Sequence, residues 1–160
     1  MCSECPFCSL TFRASAFLQS TGSLAVPNRA PILVGHALVV PRRHVERVGD
    51  LRNNEFRDLM ELGRCAANVL SKSFQASAFD WSIQDGVEAG QTVPHTHLHL
   101  IPRRPLDLPS PGDWYPLLQQ VSVGVIDSEQ RPRLSSAELA VVTNRLRQTA
   151  GTIYGDWHLE

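Results

Sequence analysis

The sequence predicts an α+β domain built on an antiparallel sheet. Three observations carry this. Strand-like and helix-like runs follow in the order strands, helix, strands, helix, and few connections are long enough for the crossovers of a parallel sheet. Phe56, Leu59, Met60, Gly63, Ala66, Ala67 and Leu70 recur at helical spacing and mark one face of a long amphipathic helix. Finally, Pro94-His95-Thr96-His97-Leu98-His99-Leu100-Ile101-Pro102 alternates histidine with other residues at the period of a strand.

The elements follow in order along the chain. Residues 17–19 and 24–26 read as short strands around the turn Ser20-Thr21-Gly22-Ser23. The loop Pro27-Asn28-Arg29-Ala30-Pro31 comes next, and residues 35–41 read as a buried strand closed by Pro41. The long helix is expected over about 53–71, with Cys65 as a small buried side chain on it. Residues 79–84 form the next strand and the histidine strand follows. Residues 102–116 hold five prolines and are expected to form an irregular, mobile flap carrying Trp114 and Tyr115. A last helix is expected over 135–149, because Ser135 and Glu138 make a capping box ahead of Leu139, Val142 and Leu146.

Bulk properties limit the function classes. A chain of 160 residues suits one domain. Its net charge of -1 argues against broad nucleic-acid binding through a basic surface. No run has the length of a membrane span, and the start Met1-Cys2-Ser3-Glu4-Cys5-Pro6 has no apolar signal core. The expectation is a cytoplasmic protein without membrane partners. Three cysteines stand at positions 2, 5 and 8. In a reducing compartment such a cluster is more often a metal site than a disulfide framework, and residues 1–14 form a separate N-terminal segment.

On one strand His95, His97 and His99 project side by side, while Thr96, Leu98 and Leu100 face a core. Two chemistries fit such a row: metal binding, or nucleophilic attack on phosphorus. The row, with Asn28-Arg29-Ala30-Pro31, Gly35-His36, Val45-Glu46-Arg47, Gln84-Asp85-Gly86 and Glu88-Ala89-Gly90-Gln91-Thr92-Val93, resembles the histidine triad (HIT) family of nucleotide hydrolases and transferases. Within that family these loops are similar to the fragile histidine triad branch, the dinucleoside polyphosphate hydrolases. The polar Thr96 departs from the usual apolar spacing. Cys5-Pro6-Phe7-Cys8 and His44 resemble a different branch, the bacterial members that bind structural zinc.

The resemblance implies a five-stranded antiparallel sheet with one long and one C-terminal helix, and a homodimer. It implies structural zinc on Cys5, Cys8, His44 and His95, although Cys2 has the same spacing from Cys5 as Cys5 has from Cys8. It implies His97 as the nucleophile that takes a nucleotidyl group from a nucleotide or dinucleotide substrate. No catalytic cofactor is expected, with Mg at most a chelate of the substrate. His99, one strand step away at about 6.6 Å, can hydrogen-bond phosphate or the leaving group. His36 completes the polar cluster. Gln84 can donate to the bridging oxygen, Gln91 and Thr92 to phosphate, and Asn28 to ribose hydroxyls. Arg29, Arg42, Arg43, Arg103 and Arg104 read as solvated charges, one or two of which attract the polyphosphate. The first expectation is cleavage of dinucleoside polyphosphates at the α-phosphorus. Nucleoside phosphoramidate hydrolysis, phosphorolysis, a metallohydrolase using all three histidines and a slow nucleotide sensor stay open beside it.

Overall fold

The computed structural model describes residues 5–108 and 131–155. Cys2, Trp114 and Tyr115 lie outside that range. Five strands form one antiparallel sheet: β1 (Leu18–Gln19), β2 (Ser23–Pro27), β3 (Ala37–Pro41), β4 (Ala78–Ser82) and β5 (Leu98–Arg103). Their order is β1-β2-β3-β5-β4, so β1 and β4 are the edges. The helices are α1 (Leu10–Ala14), α2 (Asn53–Phe74) and α3 (Ser136–Tyr154). The expected α+β class and five-stranded sheet are what the chain forms.

Antiparallel sheets commonly leave one face to water. Here every residue of β2 and β3 is buried, because both faces are covered. Ala25, Ala37, Val39, Leu98 and Leu100 pack against Leu59, Leu62, Ala66, Val69 and Leu70 of α2 and Leu146 of α3. On the other face Leu24, Val26, Leu38 and Val40 pack against Phe7, Phe12 and Ala16. Phe7 and Phe12 stack with ring centroids 4.7 Å apart. The N-terminal segment is thus the second cover of the sheet, a role its sequence did not announce.

Register assigns the histidines to a face. Leu38 of β3 stands opposite His99 of β5, while Ala37 pairs with Leu100 and Val39 with Leu98. Directly opposed residues share a face, so His99 lies with Leu38 on the N-terminal-segment side, and Leu98 and Leu100 lie on the helix side.

Three expectations need correction. The ladder of β5 begins at Leu98, so only His99 of the row is on a strand. Upstream, His95 N donates to Val93 O and Thr96 N to Val45 O, bonds that lie outside the β3–β5 ladder. Second, the core face of α2 is rotated. Leu59, Leu62, Cys65, Ala66, Val69 and Leu70 are buried, while Phe56 (42%) and Met60 (36%) are exposed. Periodicity located an apolar stripe but could not say which edge of it the sheet covers. Third, Pro102 and Arg103 close β5. Arg103 is no solvated charge: its guanidinium lies 2.8 Å from Asp80 and 3.0 Å from Asp107. Residues 109–116 of the expected flap lie outside the described range.

The capping box of α3 forms as read, with Glu138 N donating to Ser135 Oγ (3.2 Å) and Ser135 N to Glu138 Oε2 (2.8 Å). The helix runs on to Tyr154 before Gly155 ends it. No described helix is long and apolar enough to cross a membrane.

Candidate active site and metal centre

His36 enters the site immediately before β3. Gly35 has φ +90, and a Cβ there would stand 2.7 Å from the Phe74 ring. Only glycine makes this turn so close to the end of α2. His36 is then held by its neighbours. Ile32 N lies 3.2 Å from His36 Nδ1, and Asn28 Nδ2 lies 3.3 Å from the same atom. Both groups donate, so Nδ1 accepts and the proton of the neutral ring sits on Nε2. That Nε2 stands 2.9 Å from His99 Nδ1. His99 therefore accepts on Nδ1 and carries its own proton on Nε2.

His97 is oriented separately. Its Nδ1 is 2.7 Å from the carbonyl of His95. A carbonyl only accepts, so Nδ1 donates and Nε2 holds the lone pair. The rings of His97 and His99 lie 4.8 Å apart, and those of His36 and His99 5.1 Å apart. Burial drives the electrostatics. It pushes His36 down to about 3, with Arg131 and His97 adding repulsion. It also lowers His99 well below the usual imidazole range and lowers His97. All three are neutral at pH 7, and a neutral imidazole has the lone pair that attack on phosphorus requires.

The depressed value of His36 has a measurable consequence. The unfolded ring takes up a proton near pH 6.5 and the folded ring only near 3, so the unfolded state binds more protons between these values. Stability contributed by neutral His36 is present above pH 6.5 and is lost as pH falls towards 3. Urea unfolding at pH 7.0, 5.5 and 4.5 is expected to show this loss. A His36→Asn variant is expected to show a shallower one, by up to about 1.4 kcal/mol per pH unit. Equal slopes in the two proteins exclude His36 as the titrating group.

His97 and His99 line a cleft of about 480 Å³. Phe7, Phe12 and Leu38 supply apolar wall; Asn28, Gln84, Thr92, His97 and His99 supply polar groups. The expected site residues divide here. Gln84 and Thr92 line the cleft. Gln91, expected as a phosphate donor, is buried and committed to the chain. Its Oε1 accepts from Gly86 N at 2.8 Å and its Nε2 donates to Glu46 O at 2.9 Å. It closes the loop after Gln84 rather than facing a ligand. Asn28 reaches the cleft, but its Oδ1 accepts from Ala30 N (2.9 Å) and its amide nitrogen faces His36. It shapes the loop and positions His36. Of the five arginines singled out by sequence, Arg29 lines the cleft. Arg131 and Arg133, which sequence reading missed, line it too. Their signal is faint: two arginines just ahead of the Ser135 cap, far in sequence from every motif.

A second cluster is separate from these three rings. Cys5, Cys8, His44 and His95 bring their ligand atoms within 4.8 Å of one another and could hold a metal ion. Cys5 Sγ is 3.4 Å and Cys8 Sγ 3.8 Å from His95 Nδ1, and Cys8 Sγ is 3.7 Å from His44 Nδ1. A tetrahedron with bonds of about 2.3 Å to sulfur and about 2.0 Å to nitrogen has edges of about 3.3–3.8 Å. The donor set fits a small tetrahedral cation. His95 Nε2 lies 2.9 Å from Pro41 O, which keeps its proton on Nε2 and its Nδ1 lone pair towards the sulfurs. Burial raises the Cys5 thiol and lowers His95 to about 4. His95 is therefore neutral, as a ligand must be, and a cation is what would make a buried thiolate favourable. Among the described residues no other cluster could hold a metal, and His97 and His99 are not part of this one.

Residues 11–106 match the HIT domain. The chain belongs to the HIT family. A bis(5'-nucleosyl)-tetraphosphatase (asymmetrical) of Schizosaccharomyces pombe is 48% identical over 94 residues, covering 59% of this chain and 52% of the relative. This chain thus spans about half the length of that protein. A bis(5'-adenosyl)-triphosphatase of Dictyostelium discoideum is 36% identical over 135 residues, 84% of this chain and 85% of the relative. Among solved structures, a Zn-bound histidine triad family protein from Mycobacterium smegmatis shares the fold with a TM-score of 0.70 and 23% identity. It covers 96% of this chain and 98% of that one. The likeness of fold to that structure thus spans more of the chain than the matched segment.

Proposed function

We propose that this chain hydrolyses dinucleoside polyphosphates at the α-phosphorus, with His97 as nucleophile. The observation that carries the reading is the pairing of the two rings: a neutral His97 whose Nδ1 is tied to the His95 carbonyl, beside a His99 whose proton is on Nε2. His97 Nε2 attacks phosphorus, the bond to the bridging oxygen breaks, and the nucleoside polyphosphate leaves. His99 Nε2–H and the Gln84 amide hydrogen-bond the oxygens on which charge develops. Water then cleaves the phosphorus–nitrogen bond and releases a mononucleotide, with the proton of that water passing to solvent or to the departing imidazole. The names of the S. pombe and D. discoideum relatives support the substrate class. Incubation with a panel of dinucleoside polyphosphates and nucleoside phosphoramidates, with products identified by mass, tests it. Turnover confined to phosphoramidates moves the assignment to the rival hydrolase, added phosphate appearing in the product moves it to a phosphorylase, and no turnover leaves a sensor.

The cysteine–histidine cluster is a structural zinc site in this reading. Zinc there supplies cross-linking of the N-terminal segment to the sheet, and the chemistry is left to the imidazoles. A metallohydrolase using His95, His97 and His99 together is disfavoured by geometry. His95 turns its Nδ1 to the cysteines, while His99 accepts from His36 on Nδ1 and carries its proton on Nε2, so neither ring offers a free lone pair to a metal shared with His97.

A homodimer completes the proposal. Edge strand β4 leaves Trp81 40% exposed, and Phe56 and Met60 extend the same apolar surface along α2. The Trp81 ring packs over Gly63, one turn from Met60. An uncovered apolar strand edge is a template for pairing with another chain. Sedimentation is expected to give twice the 17.7 kDa chain mass. Trp81→Glu is expected to shift the protein to monomer; a wild-type monomer at micromolar concentration excludes this interface.

A further inference from the structure

The cleft that holds His97 and His99 is lined by three arginines, Arg29, Arg131 and Arg133, and among the described residues by no carboxylate. The whole chain has 15 basic and 16 acidic residues. The described lining of this cleft is therefore positive although the chain as a whole is close to neutral.

The arginines are placed by backbone pairing. Leu134 N donates to Arg29 O at 2.8 Å, and Arg29 Nε donates back to Leu134 O at 3.4 Å. This pair pins the segment ahead of α3 against the loop after β2, at the rim of the cleft. The histidines give the cleft a direction. Phe7 packs edge-on against His97, with ring centroids 5.3 Å apart. His97 adjoins His99, and His99 adjoins His36. The order along these rings is apolar wall, His97, His99 and His36, and Arg29, Arg131 and Arg133 line the same cleft as His97 and His99. A phosphate chain attacked at His97 is therefore enclosed by both aromatic rings and guanidinium groups.

We propose that Arg131 and Arg133 bind the phosphates of the leaving group and select substrates whose leaving group is a polyphosphate. This rests on the reading that His97 attacks a nucleotide. A guanidinium presents paired N–H donors that match phosphate oxygens, so charge and geometry both favour a multiply anionic leaving group. A neutral amine leaving group, as in a phosphoramidate, gains nothing from them.

The test uses the full chain and two readouts. The first is calorimetric affinity for inorganic tripolyphosphate. The second is kcat/KM for a diadenosine polyphosphate against an adenosine phosphoramidate. In Arg131→Gln/Arg133→Gln, tripolyphosphate affinity is expected to fall at least about tenfold and polyphosphate kcat/KM about 10- to 100-fold, with the phosphoramidate changed by less than about threefold. Arg131→Lys/Arg133→Lys is expected to recover part of the binding by charge alone. Lys72→Gln/Arg104→Gln makes the same change in net charge at exposed positions and is expected to leave binding unaltered. Unchanged tripolyphosphate affinity, equal losses on both substrates, or an equal loss in the surface control overturns the proposal. If wild-type protein hydrolyses neither substrate, the hydrolase reading falls, and the tripolyphosphate titration still decides whether these arginines grip phosphate.

Discussion

Replacing His97 with alanine is expected to abolish turnover while the fold and nucleotide binding persist. The ring is 5% exposed, and the described hydrogen bond of its side chain goes to a backbone carbonyl of its own loop. Removing it leaves the His36–His99 pair, the cleft wall and the metal cluster in place. Loss of a nucleophile lowers rates by several orders of magnitude. A His97→Ala enzyme that keeps more than about a tenth of wild-type kcat, a loss below about 1.4 kcal/mol, refutes the assignment. Route can be checked independently of rate. Attack by His97 followed by water gives two inversions at phosphorus and net retention. A metal-activated water attacking directly gives one inversion. A chiral α-phosphorothioate substrate turned over in labelled water separates them, and net inversion rules out the covalent route.

Loss of the metal is expected to have the second-largest effect, on stability. The cluster ties the segment carrying Phe7 and Phe12, which covers one face of the sheet, to His44 just after β3 and His95 just before β5. Protein purified without added metal is expected to contain about one zinc per chain. Cys8→Ser, which removes a half-buried ligand without opening a core cavity, is expected to lower Tm by about 10 °C or more, given about 2–4 °C per kcal/mol in a domain of this size. The effect reaches the chemistry through His95, whose side chain faces the cysteines while its carbonyl orients His97. Metal-free protein of unchanged Tm, or a metal lost on replacing His97 rather than Cys8, overturns the site.

Much of this molecule was legible before its structure. The histidine period, the Ser135–Glu138 capping box and the burial of Cys65 are local signals that depend on residue type and spacing, which folding does not alter. The grouping of Cys5-Pro6-Phe7-Cys8 with His44 and His95 came from the family resemblance, and the fold brings those four side chains together. Gln84, Thr92, His97 and His99 fall together in one cleft as the motifs suggested.

Other features depended on partners that no local pattern names. Gln91 and Asn28 have the chemistry of ligand donors. Whether an amide faces substrate or the backbone is decided by which carbonyl or N–H the folded chain brings near, here Glu46 O, Gly86 N and Ala30 N. Phe56 and Met60 belong to the same helical stripe as Leu59, but the fold buries Leu59 and leaves those two side chains exposed. The histidine row alternates like a strand, yet pairing with β3 begins only at Leu98, because strand length is set by the neighbour that supplies hydrogen bonds. Arg131 and Arg133 reach the site across a hundred residues through the Leu134–Arg29 bonds, a contact without a sequence signature. By itself the sequence determined the family, since that is written in short motifs, and through the resemblance it named a nucleophile candidate and a candidate metal-ligand set. Tertiary structure decided which polar groups remain available to a substrate, because that depends on what every other group in the fold has already claimed.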